Sequence, residues 1–363
     1  MPEIHAGRRA RAQAKLAELG ADAALVTAGP NVRYLSGLAS SNAALLLPAD
    51  GTGLLATDSR YELAAQRDAP DLDLTVARFV EPLLAAEAGR RGLHQLAVET
   101  HDLTVDGYAE IEAAAGDVRL FSFQKRVEEL RAVKDRSELE LIGTACRITD
   151  QAFADVLPLI RPGLTERALA AALDQRMSEL GAERPAFDTI VASGPNGALP
   201  HHVPSSRPLR RGDLITMDFG AQFAGYHADM TRTVALGEPA AWQRDVYELV
   251  ASAQRAGCTA ARPGAALREV DAAARDVIAE AGHGAHFGHG LGHGVGLEVH
   301  EAPMIGYGST GKLEDCVSVT VEPGVYLPGR GGVRIEDVLV VGAGSADGAP
   351  QILTTTTKEL LAL

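Results

Sequence analysis

Two segments of this chain repeat one another: RPGLTERALAAALDQRMSELG, beginning at Arg161, and RPGAALREVDAAARDVIAEAG, beginning at Arg262. Each follows a helical stretch, breaks it with Arg-Pro-Gly, starts a second helical pattern and stops at a glycine, Gly181 or Gly282, at the same distance from the break. Proline does not continue a helix interior and glycine commonly ends one, so both copies predict a helix–turn–helix unit. A histidine-bearing loop and a hairpin with two acids come after each copy. A duplicated unit of this kind predicts two pseudo-symmetric halves whose sheets share one central site.

The hairpins sharpen that expectation. In VTVEPGVYLPGRGGVRIEDVLVV, residues 319–341, Glu322 and Glu336 are equidistant from Gly329 and therefore face each other among valines and isoleucines. Like charges opposed across a ladder destabilise it, and a buried carboxylate is costly unless compensated. In DLITMDFGAQFAGYHADMTRTVAL the same arrangement is expected of Asp218 and Asp229, symmetric about the Phe223–Ala224 bond. Strand interiors disfavour aspartate, which makes a purely structural role the weaker explanation. Cations would compensate both pairs.

Histidines are concentrated in HGAHFGHGLGHGVGLEVHEAP, which holds His283, His286, His289, His293 and His300. Its glycines argue against a helix, and no register gives a dinucleotide fingerprint; they suit close backbone approach to a site. An extended strand puts His289 and His293 on one face, while His300 joins them only through a bend. Four carboxylates and one imidazole match two divalent cations almost charge for charge. Oxygen-rich ligation with one nitrogen suits Mn, Co, Fe or Zn, and a metal pair is hydrolytic machinery.

The rest of the chain bounds the function class. A net charge of -14 with no basic stripe argues against nucleic-acid or anionic-membrane partners. No window approaches the ~18 apolar residues of a membrane span. Cys146, Cys258 and Cys316 lie far apart, form no metal-ligand spacing and suit a reducing, cytoplasmic compartment. Residues 1–127 alternate short strands (AALVT, AALLLPADGTGLLAT, DLTVA, QLAVE, DVRLF) with helices, predicting a small α/β domain without a phosphate loop or an acid cluster. The charged segment QKRVEELRAVKDRSELE then marks a boundary, with Ser137/Glu140 and Asp135/Glu138 equal candidates for a capping box.

The motifs SGPNGALPHH, MDFGAQFAGYHADMTRT, GHGLGHGVGLEVHEAP and VTVEPGVYLPGRGGVRIED, in this order, resemble the family of prolidase, aminopeptidase P and methionine aminopeptidase over about residues 130–363. NVRYLSGL and LLATDSRYE resemble the N-terminal domain of its proline-specific members and of creatinase. The resemblance implies an α/β chain: a creatinase-like α/β domain over 1–127, then a pita-bread (pseudo-twofold α+β) catalytic domain over 128–363. It implies two divalent metal ions, manganese first and cobalt or zinc as alternatives. Asp218 would chelate one metal, Asp229 and Glu336 would bridge both, and His293 and Glu322 would complete the second. Glu322 would also serve as general base or proton shuttle, His201 would contact the reacting group, and His300 would stabilise the developing oxyanion. His289, Tyr326 and Arg334 match substrate-pocket positions, with His202 the fallback for His201.

The expected activity is hydrolysis of an Xaa-Pro bond in a small peptide by a homodimer, leaning to the dipeptidase (prolidase) over the aminopeptidase P acting on longer peptides. A creatinase-like amidinohydrolase and a catalytically inactive pita-bread binding protein are the other readings. The complete ligand set argues against both.

Overall fold

The computed structural model describes residues 2–345 and 347–363. It contains two compact units, Met1–Arg131 and Ala132–Leu363. No described helix is long and apolar enough to cross a membrane.

In the first unit six strands form one mixed sheet in the order 73–76, 54–57, 43–48, 23–26, 95–98, 119–122. The expected hairpin is present, Ala43–Pro48 pairing antiparallel with Leu54–Thr57. Helices Val80–Arg90 and Val105–Ala115 bury Leu84, Ala85, Ala88 and Ile111 against Leu25, Leu46, Leu96 and Val98 of the sheet. Thr104 caps the second helix by accepting from Gly107 N, a contact worth about 1 kcal/mol.

The expectation that this unit holds no acid cluster is corrected. Glu99, His101 and Glu128 come together, His101 Nε2 lying 2.6 Å from Glu128 Oε1. Asn31 Nδ2 donates to Glu99 at 2.6 Å and to Glu128 at 2.9 Å. Its own Oδ1 accepts from Arg131. The amide thus fills the centre of the cluster. Burial drives the Glu99 pKa up to about 7 against the backbone N–H groups of Ala28 and Thr27 that favour its charge. The group reads as a polar knot that ties the helices Gly29–Ser36 and Arg126–Ala132 to the end of strand Gln95–Val98.

The second unit is built twice over. Helices Arg136–Val156 and Glu166–Glu179 back a three-stranded antiparallel sheet ordered 230–235, 214–219, 190–193. Helices Ala241–Ala260 and Leu267–Glu280 back a five-stranded sheet ordered 301–305, 292–294, 318–321, 337–340, 351–352. Each half has its own core: Phe153, Leu169, Leu173, Met177 and Ile215 in one, and Val250, Val270, Ile278, Val319 and Leu339 in the other. The repeat extends to backbone conformation. Gly163 and Gly264 both take positive φ, +91° and +84°, which only glycine adopts freely. Their N–H groups donate across the break to Leu209 O and Leu313 O respectively. Of the two capping-box candidates, Asp135/Glu138 forms it: Asp135 accepts from Glu138 N, and Glu138 accepts from Asp135 N.

Hairpin register decides where the acids go. Val321 pairs with Asp337 and Gly324 with Arg334, one register on both sides of a short break, so Glu322 and Glu336 stand opposite each other as expected. The first hairpin is a correction. Phe223 pairs with Tyr226 across a two-residue turn, Ala224-Gly225, with φ of +48° and +82°. A two-residue hairpin turn with both central φ positive matches strand twist. The turn centre therefore lies one residue beyond the expected bond. Asp218 pairs with Thr231 instead of Asp229, and Asp229 falls in the break between strands 226–227 and 230–235.

Candidate metal centre

Three of the five acid and histidine candidates sit where a strand is interrupted. Asp229 precedes strand Met230–Ala235, Glu322 follows Ser318–Val321, and Glu336 precedes Asp337–Val340. Leaving the ladder lets a strand residue aim its side chain along the sheet edge into the gap between the two halves. Asp218 and His293 lie within strands Leu214–Phe219 and Gly292–Gly294. The glycines beside His293 are required: a Cβ at Gly292 would sit 2.1 Å from Thr320 O, and one at Gly294 2.1 Å from Ala302 O. The neighbouring strands could not close on His293 with any larger residue in those places.

The side chains form two triplets that share Glu336, and a third, of Asp229, His293 and His300, overlaps both. Single ligand atoms of Asp218, Asp229 and Glu336 lie within 4.8 Å of one another, and so do those of His293, Glu322 and Glu336. His293 Nε2 is 3.2 Å from Glu322 Oε1 and 3.7 Å from Asp229 Oδ2. Its Nδ1 donates to Gly294 O at 3.1 Å, which turns Nε2 toward the acids. Thr231 Oγ1 donates to Glu336 Oε2 at 2.7 Å, and Thr320 Oγ1 to Glu322 Oε1 at 3.3 Å. Both threonines escaped the sequence reading, because threonine in a strand is ordinary strand chemistry.

The electrostatics are those of a site that needs cations. Burial, followed by the charges of Glu336, Asp218 and Glu322, pushes the Asp229 carboxyl well above the carboxylate range. Burial, with Glu322 and Asp218, does the same to Glu336. For Glu322 burial is outweighed by the hydrogen bond and charge of His293, which hold it low. Asp218 Oδ1 and Asp229 Oδ1 are buried with no hydrogen-bond partner. One cation is built in: Arg334 Nη2 donates to Asp218 Oδ2 at 2.6 Å. One guanidinium and one imidazole cannot compensate four acids, and orphaned buried carboxylate oxygens are what hard divalent cations satisfy. The residues fit divalent metal ions.

Around the acids lies a cavity of about 500 Å³. His201, His289, His300, Tyr326 and Arg334 line it, together with the apolar residues Phe187, Ile190, Met304 and Ile305, which the sequence did not single out. Tyr326 OH accepts from Arg334 Nη1 at 2.8 Å and lies 2.9 Å from His289 Nε2. Since His289 Nδ1 donates to Gly290 O, its Nε2 is the acceptor and the Tyr326 hydroxyl the donor. Burial raises the Tyr326 pKa to about 12 and lowers that of His289, so this wall keeps its protons fixed at neutral pH. The rings of His293 and His300 pack edge to face at 4.3 Å. Burial, then the charge of His293, lowers the His300 pKa. His202 is absent from the lining; its Nε2 lies 2.8 Å from Glu166 Oε2, and that bond turns it away from the cavity.

The profile of metallopeptidase family M24 matches residues 140–343. That of the creatinase/prolidase N-terminal domain matches residues 8–133. The chain is 36% identical to an Xaa-Pro dipeptidase of Pyrococcus horikoshii over 341 residues, 94% of each chain. Among solved structures it resembles an Xaa-Pro dipeptidase from Bacillus anthracis, with a TM-score of 0.94 and 37% identity over 99% of this chain and all of that one. It also resembles an X-Pro aminopeptidase from Thermotoga maritima, with a TM-score of 0.88 and 36% identity over 96% of this chain and all of that one.

Proposed function

This chain belongs to metallopeptidase family M24, behind a creatinase/prolidase N-terminal domain, and on that premise we propose that it is an Xaa-Pro dipeptidase using two divalent cations, manganese foremost. The support that carries most weight is the pair of ligand triplets sharing Glu336 inside a cavity walled by histidines. The Xaa-Pro dipeptidases among its relatives and structural neighbours point the same way. Asp218, Asp229, His293, Glu322 and Glu336 would hold the metals, with Asp229 and Glu336 common to both. Bound there, the cations supply a Lewis acid for the scissile carbonyl and a nucleophilic water at neutral pH.

The chain's own groups divide the remaining work. Glu322 takes the proton from the attacking water and passes it to the departing proline nitrogen, at which point that nitrogen first needs one. His300, neutral because its pKa is lowered, directs an N–H at the oxygen that gains charge. His201 contacts the reacting group from the opposite wall. The Arg334–Tyr326–His289 chain fixes the third wall and holds Asp218 in place. Because the Xaa-Pro amide has no N–H, a site that orients its substrate by carbonyl and shape can accept it.

The test is release of the N-terminal residue from Ala-Pro and from a longer Ala-Pro peptide, side by side, with manganese, cobalt or zinc restored to metal-free protein. Turnover chiefly of Ala-Pro, best with manganese, is expected. Turnover chiefly of the longer peptide would establish the aminopeptidase, a reading favoured by the likeness to the Thermotoga maritima structure. Silence on both with metal bound would reject proline specificity. The catalytic domain is taken to begin at 128, within the helix Arg126–Ala132. The separated free cysteines suit a cytoplasmic enzyme. On the family resemblance it works as a homodimer, and a monomer mass by light scattering would refute that.

A further inference from the structure

We propose that Glu166 is a positioning residue for His201, holding against the cavity the loop that carries it; this rests on the role given to His201 above. Glu166 is the first residue of the helix Glu166–Glu179 and is fully buried. Its Oε1 accepts from Ser193 N at 2.8 Å, Ser193 Oγ at 2.7 Å and Asn196 Nδ2 at 2.9 Å. Its Oε2 accepts from Ser205 N at 3.1 Å and Ser205 Oγ at 2.6 Å, and pairs with His202 Nε2 at 2.8 Å. Every one of these partners lies between residues 193 and 205, from the end of strand Ile190–Ser193 through the connection that follows it. One carboxylate therefore gathers the whole segment.

The turn Gly194–Ala198 packs its glycines on the strand Gly331–Arg334, and beyond it the segment leans on Glu166. Leu199 is 55% exposed and Val203 79%, so its apolar side chains do not anchor it in a core. His201 is held between two tethers. Pro200 O accepts from Arg334 Nη1 at 3.4 Å on one side, and His202 is drawn inward to Glu166 on the other. His201 lines the cavity while its neighbour does not, so drawing His202 inward to Glu166 leaves His201 on the cavity side of the turn. Burial alone would raise the Glu166 pKa, but the hydrogen bonds from Ser205, Ser193, Asn196 and His202 outweigh it and hold the group at about 2. The clamp therefore stays charged at neutral pH.

The second half of the repeat has solved the same problem independently. Asp271, 1% exposed on the helix Leu267–Glu280, accepts from Leu291 N at 3.0 Å. It also holds Arg275, which donates to Phe287 O at 2.9 Å and His289 O at 2.6 Å. Counted from Arg-Pro-Gly, Glu166 corresponds to Leu267 and not to Asp271. Each half thus holds its histidine loop with a buried acid from the second helix of its repeat, but from different turns of that helix.

The experiment is a double-mutant cycle on the metal-loaded, full-length enzyme with Ala-Pro, using Glu166→Gln, His201→Ala and both together. Metal content and thermal midpoint are recorded for each. Glu166→Gln keeps the volume but cannot accept from both groups of donors. It is expected to lower kcat about 10–100-fold, the scale of a misplaced catalytic group, while KM and metal content stay near wild type. In the His201→Ala background it should cost less than about 3-fold more, because the group it positions is gone. Losses that multiply, or a loss traceable to missing metal, would overturn the proposal while leaving the role of His201 intact. A wild-type kcat for His201→Ala would instead remove that role, and the proposal with it. Should Glu166→Gln fail to fold, Ser205→Ala carries the same test. It should lose about 3–10-fold in kcat, a loss that disappears when His201 is absent. A wild-type kcat, or a loss that persists without His201, overturns it.

Discussion

Asp229→Asn is expected to abolish turnover and, at the same time, to stabilise the metal-free protein. Asp229 is 3% exposed, has an oxygen without a partner and faces Glu336, Asp218 and Glu322. Asparagine has the same shape without the charge. Relief of buried like-charge repulsion is worth roughly 1–3 kcal/mol, the scale on which neutral isosteres outperform buried ions. The sign follows from proton linkage. A carboxyl whose pKa is raised in the folded state binds protons there more tightly than in the unfolded chain. Stability of the metal-free protein therefore falls as pH climbs above the ordinary carboxylate range. The variant should lose part of that slope. Added manganese works against that gain: at a hundred times its dissociation constant it stabilises wild type by about 2.7 kcal/mol, and the variant by less. Turnover should drop roughly 10³-fold or more, as when a preorganised electrostatic group is removed. Calorimetry with and without chelator reads both signs. A metal-free variant less stable than wild type would show that Asp229 is satisfied by the protein itself, and the metal centre would need another explanation.

Asp337→Ala should carry the largest stability cost of any single change near the site, about 3–5 kcal/mol, as expected when one partner of a buried ion pair is deleted. Asp337 is fully buried beside Glu336. Its Oδ1 accepts from Arg232 Nη2 at 2.7 Å and Thr354 Oγ1 at 2.8 Å. Its Oδ2 accepts from Lys358 Nζ at 2.5 Å and Gln254 Nε2 at 2.8 Å. Burial would raise its pKa, but Arg232 and Lys358 outweigh burial and lower it. Its contribution is therefore complete above the ordinary aspartate range and is lost as pH falls through the depressed folded value. Arg232, itself 1% exposed, donates to Glu336 O at 2.5 Å and to Thr231 O at 2.9 Å. The pair thus fastens a strand of one half to a strand of the other immediately behind the acids. Denaturant unfolding measures the loss. A shift below about 1 kcal/mol would place the network among ornamental surface ion pairs.

The parts of this architecture that were legible in the sequence are those that repeat or that glycine dictates. The Arg-Pro-Gly copies announce two halves because Gly163, Gly264, Gly181 and Gly282 all need positive φ at matching places. The second hairpin could be folded on paper because Gly329 marks its turn and the ladder keeps one register on either side. The first could not, because Ala224 takes a positive φ that alanine does not advertise, and a shift of the turn centre by one residue changes every pairing. Glu166 stands in the first turn of a helix, where an acid is ordinary helix-dipole chemistry, and its four partner residues are scattered without periodicity. Glu99, in QLAVETHD, gave no sign that it would be sealed inside; its partner Asn31, and Glu128 bonded to the same amide, are remote in sequence and meet it only once the sheet is assembled.

The division of the acids between the two copies has a bearing on how such an enzyme comes by its cations in a living cell. A chain still on the ribosome exposes Asp218 and Asp229 long before Glu336 has been added, and Glu336 belongs to both triplets that contain Asp218 or Glu322. No unfinished polypeptide that stops short of it can complete either one. On the proposed ligand set, full loading would wait until translation has passed the second hairpin and the halves have closed. The ion would then be selected by a finished site from whatever is free in the surrounding pool, so that supply would weigh as heavily as intrinsic affinity in deciding which metal is found there.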